Sequence, residues 1–299
     1  MEQANLKEIS QPTSPQENKK RNELLFFALR NKKLRIGASI VLFFIILALI
    51  GPLLTKYGPR EFVAPGVQPP SREFLLGTTT LGEDVLTQFM YGLRSTFIVG
   101  IIGGGLGTLI GIVIGFTAGY RGGIVDELLN MFTNIILVIP SLVVLLIIVA
   151  YLDVRGILIE SLFIACFAWP WVARAVRAQT FSLRTREFVD LAKLSGMKSR
   201  KIIFSEIAPN MMSYLLLASI LQFGGAILTA ATLDFIGLGP TKGMSLGLMM
   251  NNAVIEAGLI RGMWWWFIPP GLAITAIVGG LYITNVGLDE VFNPKLREM

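Results

Sequence analysis

Six long apolar stretches constrain the fold of this chain more than any other feature. A helix needs about 20 residues, at about 1.5 Å each, to cross a hydrocarbon core of about 30 Å. The stretches that qualify are 36–54, 97–119, 129–151, 156–176, 212–237 and 267–288. Backbone groups in lipid must bond within helices or closed barrels. The sequence therefore predicts an all-α polytopic membrane protein with six transmembrane helices.

The residue composition argues against an enzyme. Apolar residues make up 53% of the chain and charged residues 15%, and histidine is absent. The single cysteine, Cys166, lies inside an apolar run, which leaves no Cys/His metal set and no disulfide. The sequence also lacks the G-x-x-x-x-G-K-[ST] phosphate loop. We predict no catalytic residues, no metal site, no cofactor bound by this chain and no nucleic-acid partner.

Basic residues predict the orientation, since Lys and Arg concentrate on the cytoplasmic side of membranes. Nineteen of the 26 lie on one side of the six predicted spans. Both termini are therefore predicted to be cytoplasmic. The predicted division is a cytoplasmic tail 1–35, a first span with an extracytoplasmic segment 36–96, a five-helix core 97–290 that includes the segment 184–210, and a cytoplasmic tail 291–299.

The segment 184–210 is charged yet patterned like a helix. Nine charged side chains between residues 184 and 206 would cost more than ~20 kcal/mol to place at the centre of a bilayer. Phe188, Leu191, Ala192 and Ser195 fall on one helical stripe. We predict two short helices joined at Gly196, outside the hydrocarbon. From the residues alone the segment is a membrane-surface helix, a solvated connector or a docking site.

Five glycines recur at every fourth position of the second span. Small residues at this spacing let two helix backbones approach closely in lipid. The pattern fits static helix packing and also a helix that slides or lines a transport path. The glycines are Gly103, Gly107, Gly111, Gly115 and Gly119.

Two acidic residues lie within predicted spans. Glu160 and Asp234 are each isolated in sequence, near the outer end of a span. Such a carboxylate either reaches water at the interface or lines a polar pathway. The run Trp264-Trp265-Trp266 is typical of an interfacial anchor.

The segment 184–210 resembles the EAA loop of ABC-importer permeases. The family pattern is EAA, three residues, a glycine, and a later I-x-L-P or ILP motif. Here Asp190-Leu191-Ala192 corresponds to EAA, Gly196 to the glycine, and Ile207-Ala208-Pro209 to ILP.

Other segments resemble the "C" permease of the dipeptide/oligopeptide/nickel branch of that family. "LLGTTTLGEDVLTQFMYGLRST" is similar to the pattern LGTDxxGRDVLSRxxYGxRxS, from which Thr79, Glu83 and Gln88 differ. The resemblance runs from about residue 35 to residue 297.

The resemblance implies a type I ABC-importer permease fold in a bacterial or archaeal inner membrane. Its implied partners are a second homologous permease, two cytoplasmic ATPase subunits that bind ATP and Mg, and an extracytoplasmic substrate-binding protein. It also implies that the EAA loop is a coupling helix seated on an ATPase subunit. The residues assigned to coupling are Glu187, Phe188, Asp190, Leu191, Ala192, Gly196, Ile207 and Pro209.

Within this branch the resemblance implies di- or oligopeptides as substrates, with oligosaccharides or a nickel complex as alternatives. A different class, the ion-coupled secondary transporter, would show charged or broken helices at mid-membrane.

Overall fold

The computed structural model describes residues 26–293, and within that range it is helical with only isolated β-bridges. Segments 1–25 and 294–299, which hold most of both predicted tails, lie outside it. The helices are α1 Lys32–Leu54, α2 Val85–Arg121, α3 Gly123–Val138, α4 Ser141–Ala150, α5 Ile157–Leu183, α6 Glu187–Leu194, α7 Ser199–Ile202, α8 Met212–Leu238, α9 Leu246–Ile255 and α10 Trp264–Phe292.

Within residues 26–293, five helices are long and apolar enough to cross a membrane: α1, α2, α5, α8 and α10. The sixth predicted span, 129–151, is not straight. It is the pair α3 and α4, bent by 71°. Pro140 lacks an N–H and restricts the residue before it, and Ile139 is accordingly extended (φ −71°, ψ 126°). The fold is thus the predicted all-α membrane bundle, with one broken span.

Several helices extend past the predicted boundaries. Helix α1 begins inside the predicted tail 1–35, α2 begins ahead of residue 97, and α10 ends past residue 290. Asn31 Oδ1 accepts the N–H of Leu34 at 2.9 Å, and Asp84 Oδ2 accepts that of Thr87 at 2.9 Å. These caps satisfy free backbone donors at the helix starts. Each of these helices is therefore longer than the apolar stretch from which its span was predicted.

The glycine stripe of α2 packs against α5. An added Cβ at Gly111 would lie 2.6 Å from the Cβ of Val172, and one at Gly115 would lie 2.7 Å from the Cβ of Val176. Gly103, Gly107 and Gly119 face Ile164, Ala168 and Thr180 in the same way. The stripe is therefore a close helix–helix contact within the chain.

The bundle has two ends with different character. The basic end carries the 184–210 segment, and the distal end carries the connections 55–84 and 239–263. Trp265 and Trp266 lie at the distal end and are buried, with Trp265 Nε1 donating to the Thr78 carbonyl at 3.2 Å. The interfacial-anchor prediction is wrong for these two, because Trp265 is buried against the connection that contains Thr78 and Trp266 is buried against Gly258 in the other connection. Only Trp264 of the three is exposed.

Candidate coupling site

Helix α6 is the first part of the 184–210 segment. Its first turn carries Glu187 and Asp190 and its last turn carries Lys193, which complements the helix dipole at both ends. Lys193 Nζ lies 2.9 Å from Asp190 Oδ1 and 3.2 Å from the Arg184 carbonyl. Eight residues make only a marginal helix in isolation. Packing must supply the rest of its stability.

Gly196 ends α6 in a left-handed conformation (φ +74°). The N–H of Gly196 donates to the Lys193 carbonyl at 3.0 Å, and that of Met197 donates to the Ala192 carbonyl at 3.1 Å. This pair of bonds is the Schellman motif, which favours glycine at the position of positive φ. The predicted bend at Gly196 is therefore present.

The inner face of α6 packs on the bundle. Val189 is fully buried and Ala192 nearly so, and both join one apolar cluster with Ile202 and Ile207. The same cluster contains Phe116 of α2 together with Val172 and Val176 of α5, and half-buried Phe188 packs against it. Ala192 and Ile207, two of the residues assigned to coupling, are therefore buried against the chain's own spans, and their part in coupling stays a prediction.

The outer face of α6 is apolar and exposed. Leu191 is 65% exposed and Leu194 85% exposed, and Phe204 farther along the segment is 72% exposed. Glu187 and Asp190 are exposed as well. The prediction omitted Leu194 and Phe204, although Leu194 follows Leu191 by three residues and so lies on the same helical face.

Arginine side chains fasten the segment to the spans. Arg184 Nη1 donates to the carbonyls of Gly119 and Tyr120 at 3.3 and 3.4 Å, at the C-terminal end of α2. Arg177 of α5 forms a two-pronged ion pair with Asp126 of α3, at 2.5 and 2.7 Å. Two parallel bonds fix both distance and orientation. The 184–210 segment therefore adjoins a region in which α2, α3 and α5 are mutually fixed.

The helical backbone breaks just before α8. From Ile203 to Ile207 the chain forms a π-helical turn, and exposed Pro209 lies in the short helix Ala208–Asn210 that follows. The break is at Met211 (φ −118°, ψ 14°). Proline is tolerated in the first turn of a helix, where its missing N–H has no partner to lose.

The two acidic residues of the spans are neither isolated nor in contact with water. Glu160 is 6% exposed and Asp234 is 3% exposed. Ser245 Oγ donates to Asp234 Oδ2 at 2.5 Å. Both line one small cavity at the distal end. Sequence reasoning missed the pairing because α5 and α8 are far apart in the chain.

The three departures from the family pattern at the distal end lie together. Gln88 Nε2 donates to Glu83 Oε2 at 2.7 Å, and Thr79 Oγ1 donates to the same oxygen at 3.4 Å. Burial raises the pKa of Glu83. The quoted pattern has an aspartate where this chain has Thr79, and arginines where it has Glu83 and Gln88. All three positions are therefore replaced together, and the new side chains hydrogen-bond to one another.

Comparison with known proteins identifies the family. Residues 111–298 match the family model described as "Binding-protein-dependent transport system inner membrane component". The chain is 34% identical to a dipeptide transport system permease protein, DppC, of Alkalihalophilus pseudofirmus, over 90% of this chain and 88% of that protein. It is 31% identical to an oligopeptide transport system permease protein, OppC, of Mycobacterium bovis, over 88% of this chain and 90% of that protein.

A third relative, a dipeptide transport system permease protein of Bacillus subtilis, is 30% identical over 90% of this chain and 83% of its own length. These similarities extend over most of both chains, so they include the spans and the 184–210 segment together. They favour a transport permease over the ion-coupled secondary transporter and over an enzyme. The chain belongs to the family of inner membrane components of binding-protein-dependent transport systems, the permeases of ABC importers.

Proposed function

We propose that this chain is one of two permease subunits of an ATP-driven importer of dipeptides or oligopeptides. The substrate class rests on the names of the relatives, which are dipeptide and oligopeptide permeases along most of their length. In this proposal the basic end faces the cytoplasm, both termini are cytoplasmic, and a binding protein delivers substrate to the distal end.

The 184–210 segment is proposed to dock on an ATPase subunit. The observation that carries this proposal is the two-faced character of α6: Val189 is fully buried against the spans, whereas Leu191 and Leu194 are exposed. An apolar pair on a water-facing helix marks a contact surface. Exposed Glu187 and Asp190 beside it provide polar contacts at the rim of the interface.

Force would pass from the docked helix through the packed cluster. When ATP closes two ATPase subunits, each docked helix moves with its subunit. Val189 and Ala192 contact the cluster that contains Val172 and Val176, so displacement of α6 pushes on α5. Packed interiors transmit such movement because they are not continuously deformable. ATP and Mg bind in the partner subunits in this proposal.

The experiment co-expresses the chain with its second permease and the ATPase subunits and purifies the complex in mild detergent. Leu191→Asp/Leu194→Asp should leave the permease pair intact and remove the ATPase subunits. Val189→Ala, which alters only the inner face, is the matched control and should retain them. Full retention of the ATPase subunits by the double variant would contradict the docking assignment.

The substrate class has a separate test. Proteoliposomes that contain the complete complex and its binding protein should accumulate a labelled dipeptide or oligopeptide when ATP is supplied. Uptake of an oligosaccharide or a nickel complex, without peptide uptake, would contradict the peptide assignment and leave the docking assignment untouched.

A further inference from the structure

The buried carboxyl pair at the distal end has no part in the proposed function. Glu160 lies in the first turns of α5, and Asp234 begins the last, π-helical turn of α8. Glu160 Oε1 and Asp234 Oδ1 are both buried without any hydrogen-bond partner. Two unpaired acceptor oxygens in an apolar interior are costly. Such a pair requires a positive group between or beside them.

The cavity that holds the pair is too small for a hydrated ion. Its volume of about 10 Å³ is at most that of a single water site. Hydroxyl-bearing Ser95, Thr96 and Ser245 contribute its polar lining, and small or aliphatic side chains form the remainder. Among the described residues, no group of three or more His, Cys, Asp or Glu could hold a metal ion.

Charge balance at the site is one positive charge short. The titratable residues that line the cavity are Glu160 from α5 and Asp234 from α8; α2 and α9 contribute none. Arg155, in the connection before α5, is a basic group at this end of α8, where its Nη1 donates to the Gly237 carbonyl at 3.0 Å. Two ionised carboxylates and one guanidinium would leave a net negative charge in the interior. A single proton removes it.

We propose that Glu160 and Asp234 form a proton-binding site that holds one resident proton, with the Glu160 carboxyl O–H donating to the Asp234 carboxylate. The Ser245 hydroxyl then donates to the same carboxylate, and Arg155 balances its charge. This proposal goes beyond the proposed function and does not depend on the substrate or on the ATPase subunits.

The shared proton links helices that are far apart in the chain. It links α5 to α8, and Ser245 extends the link to α9, where its Oγ also caps the helix by accepting the N–H of Leu248 at 3.1 Å. Beside it, the N–H of Thr241 donates to the Arg155 carbonyl at 2.9 Å. Removal of the proton would place two like charges in contact and loosen this part of the distal end.

Infrared spectroscopy of the purified full chain in lipid nanodiscs tests the proposal directly. The wild type at neutral pH should show a protonated-carboxyl band that shifts on transfer to deuterated water. Glu160→Gln, which reproduces a protonated glutamate in shape, should lose that band. Glu73→Gln, at an exposed distal carboxylate, should retain it. A band that survives Glu160→Gln, or no such band in the wild type, would overturn the proposal.

Thermal unfolding against pH gives a second readout that needs no spectral assignment. Stability that depends on a bound proton is present at low pH and is lost as pH rises. The wild-type midpoint should therefore shift downward at alkaline pH, and that of Glu160→Gln should shift less. If sodium, potassium or calcium ions instead raised the wild-type midpoint at constant pH, and Glu160→Gln abolished the rise, the site would bind a cation and the proton proposal would be wrong.

Discussion

The two ends of the bundle place their polar and apolar side chains in opposite ways. At the basic end, Glu187 and Asp190 are exposed, and Leu191 and Leu194 are exposed beside them. At the distal end, acidic groups such as Asp234 are buried and bonded within the chain. The basic end thus exposes apolar and acidic side chains together, whereas the distal end buries its acidic groups, some of them with unpartnered oxygens. The proposed docking surface and the distal connections are therefore built from different kinds of contact.

The largest expected effect comes from placing a charge on the inner face of α6, at the basic end. Val189→Asp would place an unpaired charge in the cluster that holds α6 to the spans, at a cost on the order of 3 kcal/mol or more. Leu191→Asp, two residues away on the exposed face, should change stability by less than about 0.5 kcal/mol. Thermal unfolding of both variants in one detergent measures the contrast. Equal destabilisation would mean that the two faces of α6 do not differ.

The second effect concerns the glycine contact between α2 and α5, which lies between the two ends of the bundle. Gly115→Val would force α2 away from α5, because the new Cβ would lie 2.7 Å from the Cβ of Val176 and 2.8 Å from the Ala173 carbonyl oxygen. We expect a loss of about 2 kcal/mol. Gly105→Ala in the same helix meets nothing within 4 Å and should be neutral or slightly stabilising. A neutral Gly115→Val, measured by thermal unfolding, would show that the close approach is unimportant.

The third effect comes from the loss of a polar contact at the distal end. Asp84 Oδ2 accepts from both the backbone N–H and the hydroxyl of Thr87, at 2.9 and 2.6 Å. Asp84→Ala should cost about 1 kcal/mol by removing this cap, and Asp84→Asn should recover most of it. Hydrogen exchange of the first turn of α2 localises the effect. Unchanged protection in Asp84→Ala would argue against an internally organised distal end.

The smallest effect depends on pH. Burial raises the pKa of Glu83 above its ordinary value of 4.5, so the folded chain binds this proton more tightly than the unfolded chain. Stability should therefore fall as pH rises from about 4.5 through the raised pKa of the folded state. Glu83→Gln should reduce that slope, and Glu73→Gln, which changes an exposed carboxylate, should not. A slope that is the same in all three proteins would contradict the burial of Glu83.

The spans and the bend at Gly196 were predictable because each depends on residues that are neighbours in the sequence. Six apolar stretches, the glycine spacing of α2 and the glycine at position 196 each report a property of neighbouring residues. Pro140 favours a break in the helix, but the apolar run 129–151 continues across it, so the sequence predicted a single span there. Only the family pattern supplied a partner for the 184–210 segment.

Contacts between distant parts of the chain were not predictable in the same way. Glu160 and Asp234 are isolated in sequence, and only the packing of α5 on α8 brings them together. The inner and outer faces of α6 also depend on packing. Both Val189 and Leu191 are apolar, so composition could not decide which of them faces the bundle.

The central claim is that the exposed face of α6 contacts an ATPase subunit. The most direct measurement attaches a thiol-specific photoreactive reagent to Leu194→Cys in a Cys166→Ser background, since Cys166 is exposed and would also react. Illumination of the assembled complex should join this chain to an ATPase subunit, whereas Leu53→Cys, at the distal end of α1, should give no such product. The claim would be contradicted if Leu194→Cys formed no adduct with the ATPase subunit in an intact complex, or if both positions formed it equally.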